Sequence, residues 1–374
     1  MLLSMFVTED WYFLMHWVAP LAEARANGID VRVITGPGSK ADAVAAHGFP
    51  HDLVPLSRRS RNPVRELITL VSLARLYRSQ RPDVVHHIAL KPILYGTIAA
   101  SLAGVPRVVN TFAGLGYMFT EGGLFKRVAR WFVLMLLRVT CSGSRVIITC
   151  QNQDDRRLLL QKSVIREDRC IVIAGVGIDL KEFHPTEETD GGRVVLFPGR
   201  LLWDKGVGDL VEASRILRRK SVPVEVVLAG EPDPENPASI PVELVRQWER
   251  DGLVKWVGRQ SDMASLYHRA NIVCVPSYRE GLSRSLIEAA CSGRAAVTTD
   301  VPGCRDIVVN RFNGLIVPPR CPKELAEALM VLLEYPSLRK VMGENGHKRV
   351  RQYFASEVVL PMYVALYSTG KYGI

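Results

Sequence analysis

Short apolar runs alternate with helical stretches along the whole chain. Each run is rich in Val, Ile and Leu and spans six residues or fewer, and this alternation is typical of βαβ units with buried parallel strands. The runs fall into two sets, and each set predicts one open, doubly wound sheet. The first set is Leu2–Val7, Val31–Thr35, Val84–His87, Val108–Asn110, Val146–Cys150 and Ile171–Ile173. The second set is Val194–Pro198, Val224–Ala229, Val254–Val257, Ile272–Val275, Ala296–Thr298 and Leu315–Val317.

Two sets of strands predict two domains, which fits a length of 374 residues because single cores rarely grow that large. The linker Gly175–Phe183 joins the sets, and the polar stretch Thr186–Gly192 is typical of an exposed connection. We predict Rossmann-like domains at residues 1–175 and 176–354, with a C-terminal helix at about 355–374 that packs back on the first domain. The fold class is therefore α/β, with two facing parallel-sheet domains and an active site in the cleft between them.

Positive charge is concentrated in the first domain. Residues 1–172 hold 22 Lys and Arg against 13 Asp and Glu, a net charge of +9 out of +10 for the chain. Such an excess favours a polyanionic partner, either anionic lipid headgroups or nucleic acid. A basic surface that only keeps the domain soluble explains the same excess equally well.

Cysteine spacing and hydropathy argue against several classes of protein. The seven cysteines include no C-x-x-C pair, so we expect buried free thiols and neither disulfides nor a zinc site. The start Met1–Val7 is apolar but meets Glu9 and Asp10 at once, which predicts a first strand and not a signal peptide. The longest aromatic and aliphatic run, Trp131–Leu137, is shorter than the roughly 18 residues that a membrane span needs.

The clearest candidate chemistry follows the apolar run Ile272–Val275. Two acids, Glu280 and Glu288, flank a turn rich in Gly and Ser that leads from this strand into a helix. Backbone N–H groups at a helix start suit a diphosphate, whereas carboxylates accept hydrogen bonds from groups such as hydroxyls. A ligand with both phosphates and hydroxyls, such as a nucleotide sugar, is therefore expected here. Taken alone, the two acids also suit a surface position and the first turn of a helix.

The loop after Val194–Pro198 supplies the opposite charge. It carries Arg200 and Lys205 between Gly199 and Gly206. Two cations at the end of a strand can clamp a diphosphate and stabilise its charge as it leaves, without a metal ion. A solvated basic loop explains such a pair more simply. Because the acids and the cations both follow strands of one predicted sheet, we expect them to act together.

These motifs together resemble a known family. They are similar to motifs of the retaining GT-B glycosyltransferases of family four over essentially the whole chain, and they comprise Glu280 with Glu288, Gly199-Arg200, Lys205-Gly206, Gly177-Ile178-Asp179 and Asn313-Gly314-Leu315. The resemblance implies that Glu280 contacts the donor sugar, and that Arg200 and Lys205 hold the diphosphate. It implies a UDP-sugar donor and neither a metal ion nor another cofactor. The resemblance also implies that the nucleotide base binds near Gly258 and Arg259. The full set of residues that it implies in donor binding is Glu288, Gly199, Gly258, Arg259, Gly281, Leu282, Ser283, Ser285 and Leu286.

A narrower resemblance concerns the first domain. The segments Asp10–Phe13, His86–Gly96 and Val109–Tyr117 are similar to those of bacterial enzymes that add an N-acetylhexosamine, such as N-acetylgalactosamine, to a polyprenyl-diphosphate-linked sugar in glycan assembly. The chain departs from the family at Thr8–Trp11, where a Gly-Gly loop is common, and at Ala113, where many members have a His that contacts the donor sugar. We take as acceptor-side candidates His16, His87, Lys91, Asn110 and Gly114.

The segment Phe125–Arg138 favours contact with a membrane. Lys126, Arg127 and Arg130 lie at neighbouring helical positions beside Trp and Phe. This pattern suits a helix on an anionic membrane surface, where each basic residue contributes about 1 kcal/mol. A partly buried domain helix with a solvated basic face explains the segment equally well, but a lipid-linked acceptor favours docking. We therefore expect a cytoplasmic protein, peripheral on the inner face of the bacterial membrane.

Other functions fit parts of the same pattern. A UDP-sugar epimerase or hydrolase of the same architecture needs no acceptor, and a catalytically silent scaffold does not bind the donor. A nucleic-acid binder would use the basic first half, but that half lacks the regularly interleaved aromatics of a stacking platform, so no nucleic-acid partner is expected. An NAD enzyme is disfavoured because no G-x-G-x-x-G follows the first strand.

Overall fold

The computed structural model describes residues 1–57, 62–115, 124–188 and 191–370. These residues form two compact units, which we call unit 1 (Met1–Gly177 with Glu357–Ile374) and unit 2 (Ile178–Ser356). Each boundary lies two residues from the predicted one, and the segment after Ser356 belongs to unit 1. The chain therefore passes from one unit to the other twice.

The described residues of unit 1 form a seven-stranded sheet. Its strand order is β3-β2-β1-β4-β5-β6-β7, and each pairing is parallel. The strands are β1 (Leu2–Val7), β2 (Asp30–Thr35), β3 (His51–Leu53), β4 (Val84–Ile88), β5 (Arg107–Phe112), β6 (Val146–Cys150) and β7 (Cys170–Val172). The six predicted strands are confirmed, and the short strand β3 was not predicted.

Helices cover both faces of this sheet. On one face lie α4 (Pro63–Gln80), α5 (Leu90–Ala103), α6 (Leu124–Cys141) and α7 (Gln153–Gln161). Their buried side chains, such as Leu73 and Ile93, form one core with the sheet. On the other face lie α1 (Asp10–His16), α2 (Val18–Ala26), α3 (Ala41–Ala46) and α14 (Ser356–Thr369). There the rings of Tyr363 and Tyr367 fill a second core, so the C-terminal helix completes unit 1 as predicted.

The described residues of unit 2 form a six-stranded parallel sheet. Its strand order is β10-β9-β8-β11-β12-β13. The strands are β8 (Val194–Pro198), β9 (Glu225–Ala229), β10 (Lys255–Gly258), β11 (Ile272–Val275), β12 (Ala295–Thr299) and β13 (Gly314–Val317). The second predicted set is thus confirmed, with ends that differ by one residue or less.

The strand order of unit 2 indicates where a ligand binds. The chain steps from β8 outwards to β9 and β10, then returns to β11 on the other side of β8. Open α/β sheets bind ligands at such a switch point, beyond the carboxyl ends of the strands. The helices that support this sheet are α8 (Val207–Arg219), α9 (Val242–Arg250), α10 (Met263–Arg269), α11 (Arg284–Cys291), α12 (Pro322–Glu334) and α13 (Pro336–Tyr353).

Some predicted features lie outside the described residues. They are Gly116 and Tyr117 of the acceptor-side motif, the side chain of Lys126 and residues 189–190 of the polar stretch. Within the described ranges, no helix combines the length and the apolar character that crossing a bilayer requires. All seven cysteines are free thiols and six are buried, as the sequence predicts.

Candidate active site

A carboxylate and an ammonium group meet at the switch point of unit 2. Lys205 Nζ lies 2.6 Å from Glu280 Oε1 and 2.7 Å from its Oε2. Both side chains are mostly buried, with 27% and 11% of their surface exposed. Ser277 Oγ donates a further hydrogen bond to Glu280 Oε1 at 2.7 Å. The structure thus brings together two residues that were predicted to lie on strand-end loops of one sheet.

The loops that carry this pair are joined through their backbones. Lys205 ends a 3-10 turn, Trp203–Lys205, that follows β8, and Glu280 lies in the loop between β11 and α11. Tyr278 N donates a hydrogen bond to Asp204 O at 2.9 Å. The ion pair is therefore held by a backbone contact as well as by its own charges.

Two glycines allow these loops to pack closely. Gly206 has a φ of +72°, and a Cβ at this position would lie 1.9 Å from Pro276 O. Gly303 has a φ of +76°, and a Cβ there would lie 2.6 Å from Gly281 O. Glycine alone adopts such positive φ angles readily and leaves room for the neighbouring carbonyl. A side chain at either position would shift the loop that carries Glu280.

The second acid, Glu288, is buried one turn inside α11. Tyr267 OH donates to its Oε2 at 2.8 Å, and Arg284 Nε donates to its Oε1 at 2.8 Å. Burial raises the pKa of Glu288, and Arg284 and Tyr267 oppose this rise because they stabilise the carboxylate. Each carboxylate oxygen accepts two hydrogen bonds, so both oxygens retain capacity for a hydroxyl. Ser285 Oγ fixes the start of the helix by donating to Pro198 O at 3.0 Å.

Arg200 forms an ion pair that was not predicted. Its Nη1 lies 2.7 Å from Asp233 Oδ2, and 45% of the Arg200 side chain is exposed. Asp233 follows β9, which neighbours β8 in the sheet, so both residues belong to the same edge. The carboxylate orients the guanidinium group, whose remaining N–H donors stay available to a ligand.

The start of α11 uses some of its N–H groups within the protein. Ser283 is the N-cap residue, and its N–H donates to Gly303 O at 3.1 Å. The N–H of Leu286 donates to Ser283 O at 3.0 Å. Gly281 and Leu282, which precede the helix, are half-buried. Of the backbone groups predicted to bind a diphosphate, those of Ser283 and Leu286 are therefore already bonded to the protein.

Three further residues predicted to bind the donor lie at strand ends. Gly199 directly follows β8, and Arg259 is exposed just after β10. Gly258 ends β10 with a φ of +68° and faces open space. Their contact with a nucleotide stays a prediction. Within the described residues, no three His, Cys, Asp or Glu side chains are grouped as metal ligands.

Two acceptor-side candidates lie in the core of unit 1. His87 and Asn110 are both 0% exposed. His87 Nδ1 lies 2.8 Å from Asn110 Oδ1, and its Nε2 lies 3.1 Å from Tyr77 OH. Burial lowers the pKa of His87 to about 4, so the imidazole is neutral. Neither side chain reaches the surface, and the structure therefore assigns both to the core and not to an acceptor site.

The other acceptor-side candidates are accessible. Lys91 Nζ donates to Glu66 Oε1 at 2.9 Å, and 25% of the lysine side chain is exposed. His16 ends α1 and is half-buried. Gly114 follows β5 with a φ of +106°. Ala113, where many family members have His, is half-buried.

A residue with a strained backbone, which was not predicted, lies at the carboxyl end of β4 in unit 1. Ala89 joins β4 to α5 with a φ of 75° and a ψ of 164°. This conformation costs a residue other than glycine about 1–3 kcal/mol and is concentrated at functional sites. Its N–H donates to Thr111 O at 3.2 Å. The strain lies two residues before Lys91, on the edge where a ligand of this sheet is expected.

Comparison with known proteins identifies the class. Residues 179–349 match the family model described as Glycosyl transferases group 1. Residues 3–152 match the model described as Glycosyl transferase 4-like. The protein is a glycosyltransferase, and its reaction class is hexosyl transfer. The chain combines a second domain that matches the Glycosyl transferases group 1 model with a first domain that matches the Glycosyl transferase 4-like model, which confirms the resemblance carried by the motifs.

Individual relatives extend over most of the chain. An N,N'-diacetylbacillosaminyl-diphospho-undecaprenol alpha-1,3-N-acetylgalactosaminyltransferase of Campylobacter jejuni is 27% identical over 376 residues, which cover 97% of either chain. A UDP-Gal:alpha-D-GlcNAc-diphosphoundecaprenol alpha-1,3-galactosyltransferase of Escherichia coli is 25% identical over 314 residues, 79% of this chain and 78% of that relative. The structure of Anabaena HepE in complex with UDP matches with a TM-score of 0.75 at 18% identity, over 96% of this chain and 98% of HepE. The structural match confirms the predicted GT-B fold class.

Proposed function

We propose that this protein transfers an N-acetylhexosamine, such as N-acetylgalactosamine, from a UDP-sugar to a polyprenyl-diphosphate-linked saccharide in bacterial glycan assembly. The observation that carries the proposal is the Lys205–Glu280 ion pair at the switch point of unit 2. Relatives that act on undecaprenyl-diphosphate-linked sugars, one of them with UDP-Gal, support the same donor and acceptor classes.

The polar groups of unit 2 match the parts of a nucleotide sugar. Lys205 and Arg200 offer cationic donors to a diphosphate, whereas Glu280 and Glu288 offer acceptors to the hydroxyls of the sugar and the ribose. An ammonium group has three N–H donors, so Lys205 can hold Glu280 and a phosphate oxygen together. Donor binding therefore adds a partner to the existing ion pair and does not require that it break.

The proposed reaction retains the configuration of the anomeric carbon. The acceptor oxygen attacks from the face that the diphosphate leaves, so the bond to the acceptor forms as the bond to UDP breaks. A phosphate oxygen of the leaving UDP takes the acceptor proton. Lys205 and Arg200 stabilise the negative charge that builds on UDP, and the loops of unit 2 hold the donor in place. The proposal includes no metal ion or other cofactor.

The proposed acceptor determines where the protein works. A polyprenyl chain is held in a bilayer, so its diphosphate-linked sugar is presented at the membrane surface. We therefore place the protein as a peripheral enzyme on the cytoplasmic face of the bacterial membrane. The positive charge of residues 1–172, a net +9, supports this location because anionic headgroups attract it.

The test is a product analysis with the full-length protein. It is incubated with a polyprenyl-diphosphate-linked saccharide and a panel of UDP-sugars, and the product is identified by mass. We expect one N-acetylhexosamine added to the acceptor. Transfer of a different sugar would correct the donor and keep the reaction. Consumption of UDP-sugar without acceptor would indicate a hydrolase or epimerase, and no UDP binding in calorimetry would indicate a scaffold; both would contradict the proposal.

A further inference from the structure

Helix α4 presents an apolar stripe to solvent. The four side chains of the stripe are between 39% and 63% exposed, and they are Val64, Leu67, Ile68 and Val71. Residues at a spacing of three or four lie on one face of a helix. The opposite face of α4 is buried in the core of unit 1. Among the described residues, the stripe therefore has no packing partner of the kind that an apolar helix face normally has.

Helix α6 carries a second stripe of the same kind. Its members are between 39% and 69% exposed, and they are Val128, Trp131, Phe132, Met135 and Val139. Together the two stripes account for nine of the 21 large hydrophobic side chains that are exposed among the described residues. Single exposed hydrophobics are normal, whereas contiguous exposed patches mark interaction surfaces.

Both stripes lie on the same side of unit 1. The connections β3 to β4, β4 to β5 and β5 to β6 all step in one direction across the sheet. Because such crossovers are right-handed, α4, α5 and α6 cover the same face. Helix α5 packs against both neighbours and is itself mostly buried. We call the two stripes together the apolar face.

The apolar face has a positively charged margin. Five exposed arginines lie on the same two helices: Arg65, Arg75, Arg78, Arg127 and Arg138. The sequence of α6 contains no acidic residue. The one acid of α4, Glu66, is already paired with Lys91 at 2.9 Å. The surface is therefore complementary in charge to an anionic partner.

We propose that the apolar face docks on the surface of an anionic lipid bilayer. The apolar side chains enter the boundary between headgroups and acyl chains, and the arginines contact lipid phosphates. Trp131 suits this boundary because its indole ring combines an apolar body with a polar N–H group. A second copy of the chain is a poorer partner, since like-charged margins would face each other across a symmetric interface.

This inference deepens the proposed function, because an acceptor held in a bilayer requires the enzyme at its surface. It identifies α4 as part of the docking surface, together with the basic segment on α6. Lipid binding needs neither donor nor acceptor, so it is measured without them. Transfer to an acceptor dissolved in detergent is measured separately, and the two hypotheses can therefore fail independently.

The test is co-sedimentation of the full-length protein with vesicles. We expect binding to vesicles of phosphatidylcholine with phosphatidylglycerol, and much weaker binding to phosphatidylcholine alone. Leu67→Asp on α4 and Phe132→Asp on α6 should each weaken binding to the anionic vesicles at least about tenfold, because each places a charge in the apolar boundary. The matched control is Val341→Asp, which changes a 53% exposed valine of unit 2 and should bind like the wild type.

A second measurement locates the contact. Lipids brominated in the acyl chain should quench tryptophan emission of the bound wild type, and Trp131→Phe should lose most of this quenching. Failure of the wild type to bind anionic vesicles would overturn the proposal, as would wild-type binding by both aspartate variants. A wild-type dimer in light scattering that both variants convert to a monomer would assign the apolar face to a second copy instead.

Discussion

At the scale of single residues, the candidate site is centred on the Lys205–Glu280 ion pair. Each group is mostly buried, so removing one leaves the other as an uncompensated charge. Under the proposed function, Lys205 also stabilises the leaving UDP, and removing such a preorganised donor costs a factor of about 100 or more. We expect Lys205→Ala to lower kcat/KM by at least about 100-fold with an unchanged fold, measured by steady-state kinetics and circular dichroism.

The control for this variant is Lys255→Ala. Lys255 Nζ also contacts a glutamate, Glu225 Oε1 at 2.8 Å, but both side chains are largely exposed. Exposed ion pairs contribute little, so activity should stay close to that of the wild type. Wild-type turnover in Lys205→Ala would contradict the proposed function.

Tyr267 is a positioning residue for Glu288. Removing its hydroxyl in Tyr267→Phe leaves Glu288 Oε2 without its buried donor, a loss of about 1–3 kcal/mol. If Glu288 binds the ribose equally in the ground state and the transition state, the variant should raise KM for the UDP-sugar about tenfold with little change in kcat. Tyr335→Phe, at a 54% exposed tyrosine of unit 2, is the control. A lower kcat at unchanged KM would contradict the ribose role.

At the scale of elements, the twelve predicted strands are present because buried parallel strands leave continuous apolar runs in a sequence. The missed strand β3 reads His51-Asp52-Leu53, which has no such run. It forms because its backbone pairs with β2. Backbone pairing of this kind depends on the neighbouring strand and not on the side chains that a sequence pattern records.

The sequence predicted the position of the candidate site but not all of its contacts. Lys205 and Glu280 could be placed at one edge because the carboxyl ends of parallel strands share it. The contacts of Arg200 with Asp233 and of Glu288 with Tyr267 join different βα units, and no local spacing indicates them. The burial of His87 was missed because a histidine at the carboxyl end of a strand suits both the edge of a sheet and the core.

The junction between the 3-10 turn and α8 depends on Gly206. Alanine there must adopt a positive φ, which costs about 1–2 kcal/mol, and its Cβ must also move Pro276. We expect Gly206→Ala to lower the free energy of unfolding of unit 2 by about 3 kcal/mol or more in urea titrations. The control is Gly104→Ala, where φ is +74° but no atom lies within 4 Å of the added Cβ. Only the cost of the positive φ applies there. Equal destabilisation by the two variants would exclude the contact with Pro276.

At the scale of the whole molecule, the two units should respond differently to acid. Burial lowers the pKa of His86 to about 3 and of His87 to about 4, from an ordinary value of 6.5. At a pH between the lowered pKa values and 6.5, these histidines bind more protons in the unfolded chain than in folded unit 1. The stability that unit 1 gains from the two neutral histidines is therefore fully present above pH 6.5. It is lost progressively as the pH falls towards 4. In unit 2, Glu288 acts in the opposite sense, because burial raises its pKa.

Calorimetry between pH 7 and pH 5 checks this difference. The two histidines together should cost unit 1 about 4 kcal/mol over that range, so its transition should fall further than that of unit 2. The half-buried His51 of unit 1 and His268 of unit 2 both have lowered pKa values, chiefly through burial, so each acts in the same direction on its own unit. His87→Gln should flatten the response because it removes one of the two buried histidines. A pH response of unit 1 that survives His87→Gln unchanged would contradict the assignment.

The return of α14 to unit 1 has a consequence for biosynthesis. Unit 2 is one contiguous segment, so it can complete its sheet as soon as that segment has left the ribosome. Unit 1 cannot, because Tyr367 OH contacts His86 Nδ1 at 2.8 Å and the ring of Tyr363 lies 5.4 Å from that of Trp17. Until α14 has left the ribosome, the part of that face which α1, α2 and α3 do not cover stays exposed. We therefore expect unit 1 to finish folding after unit 2, with apolar surface of its sheet exposed in the meantime.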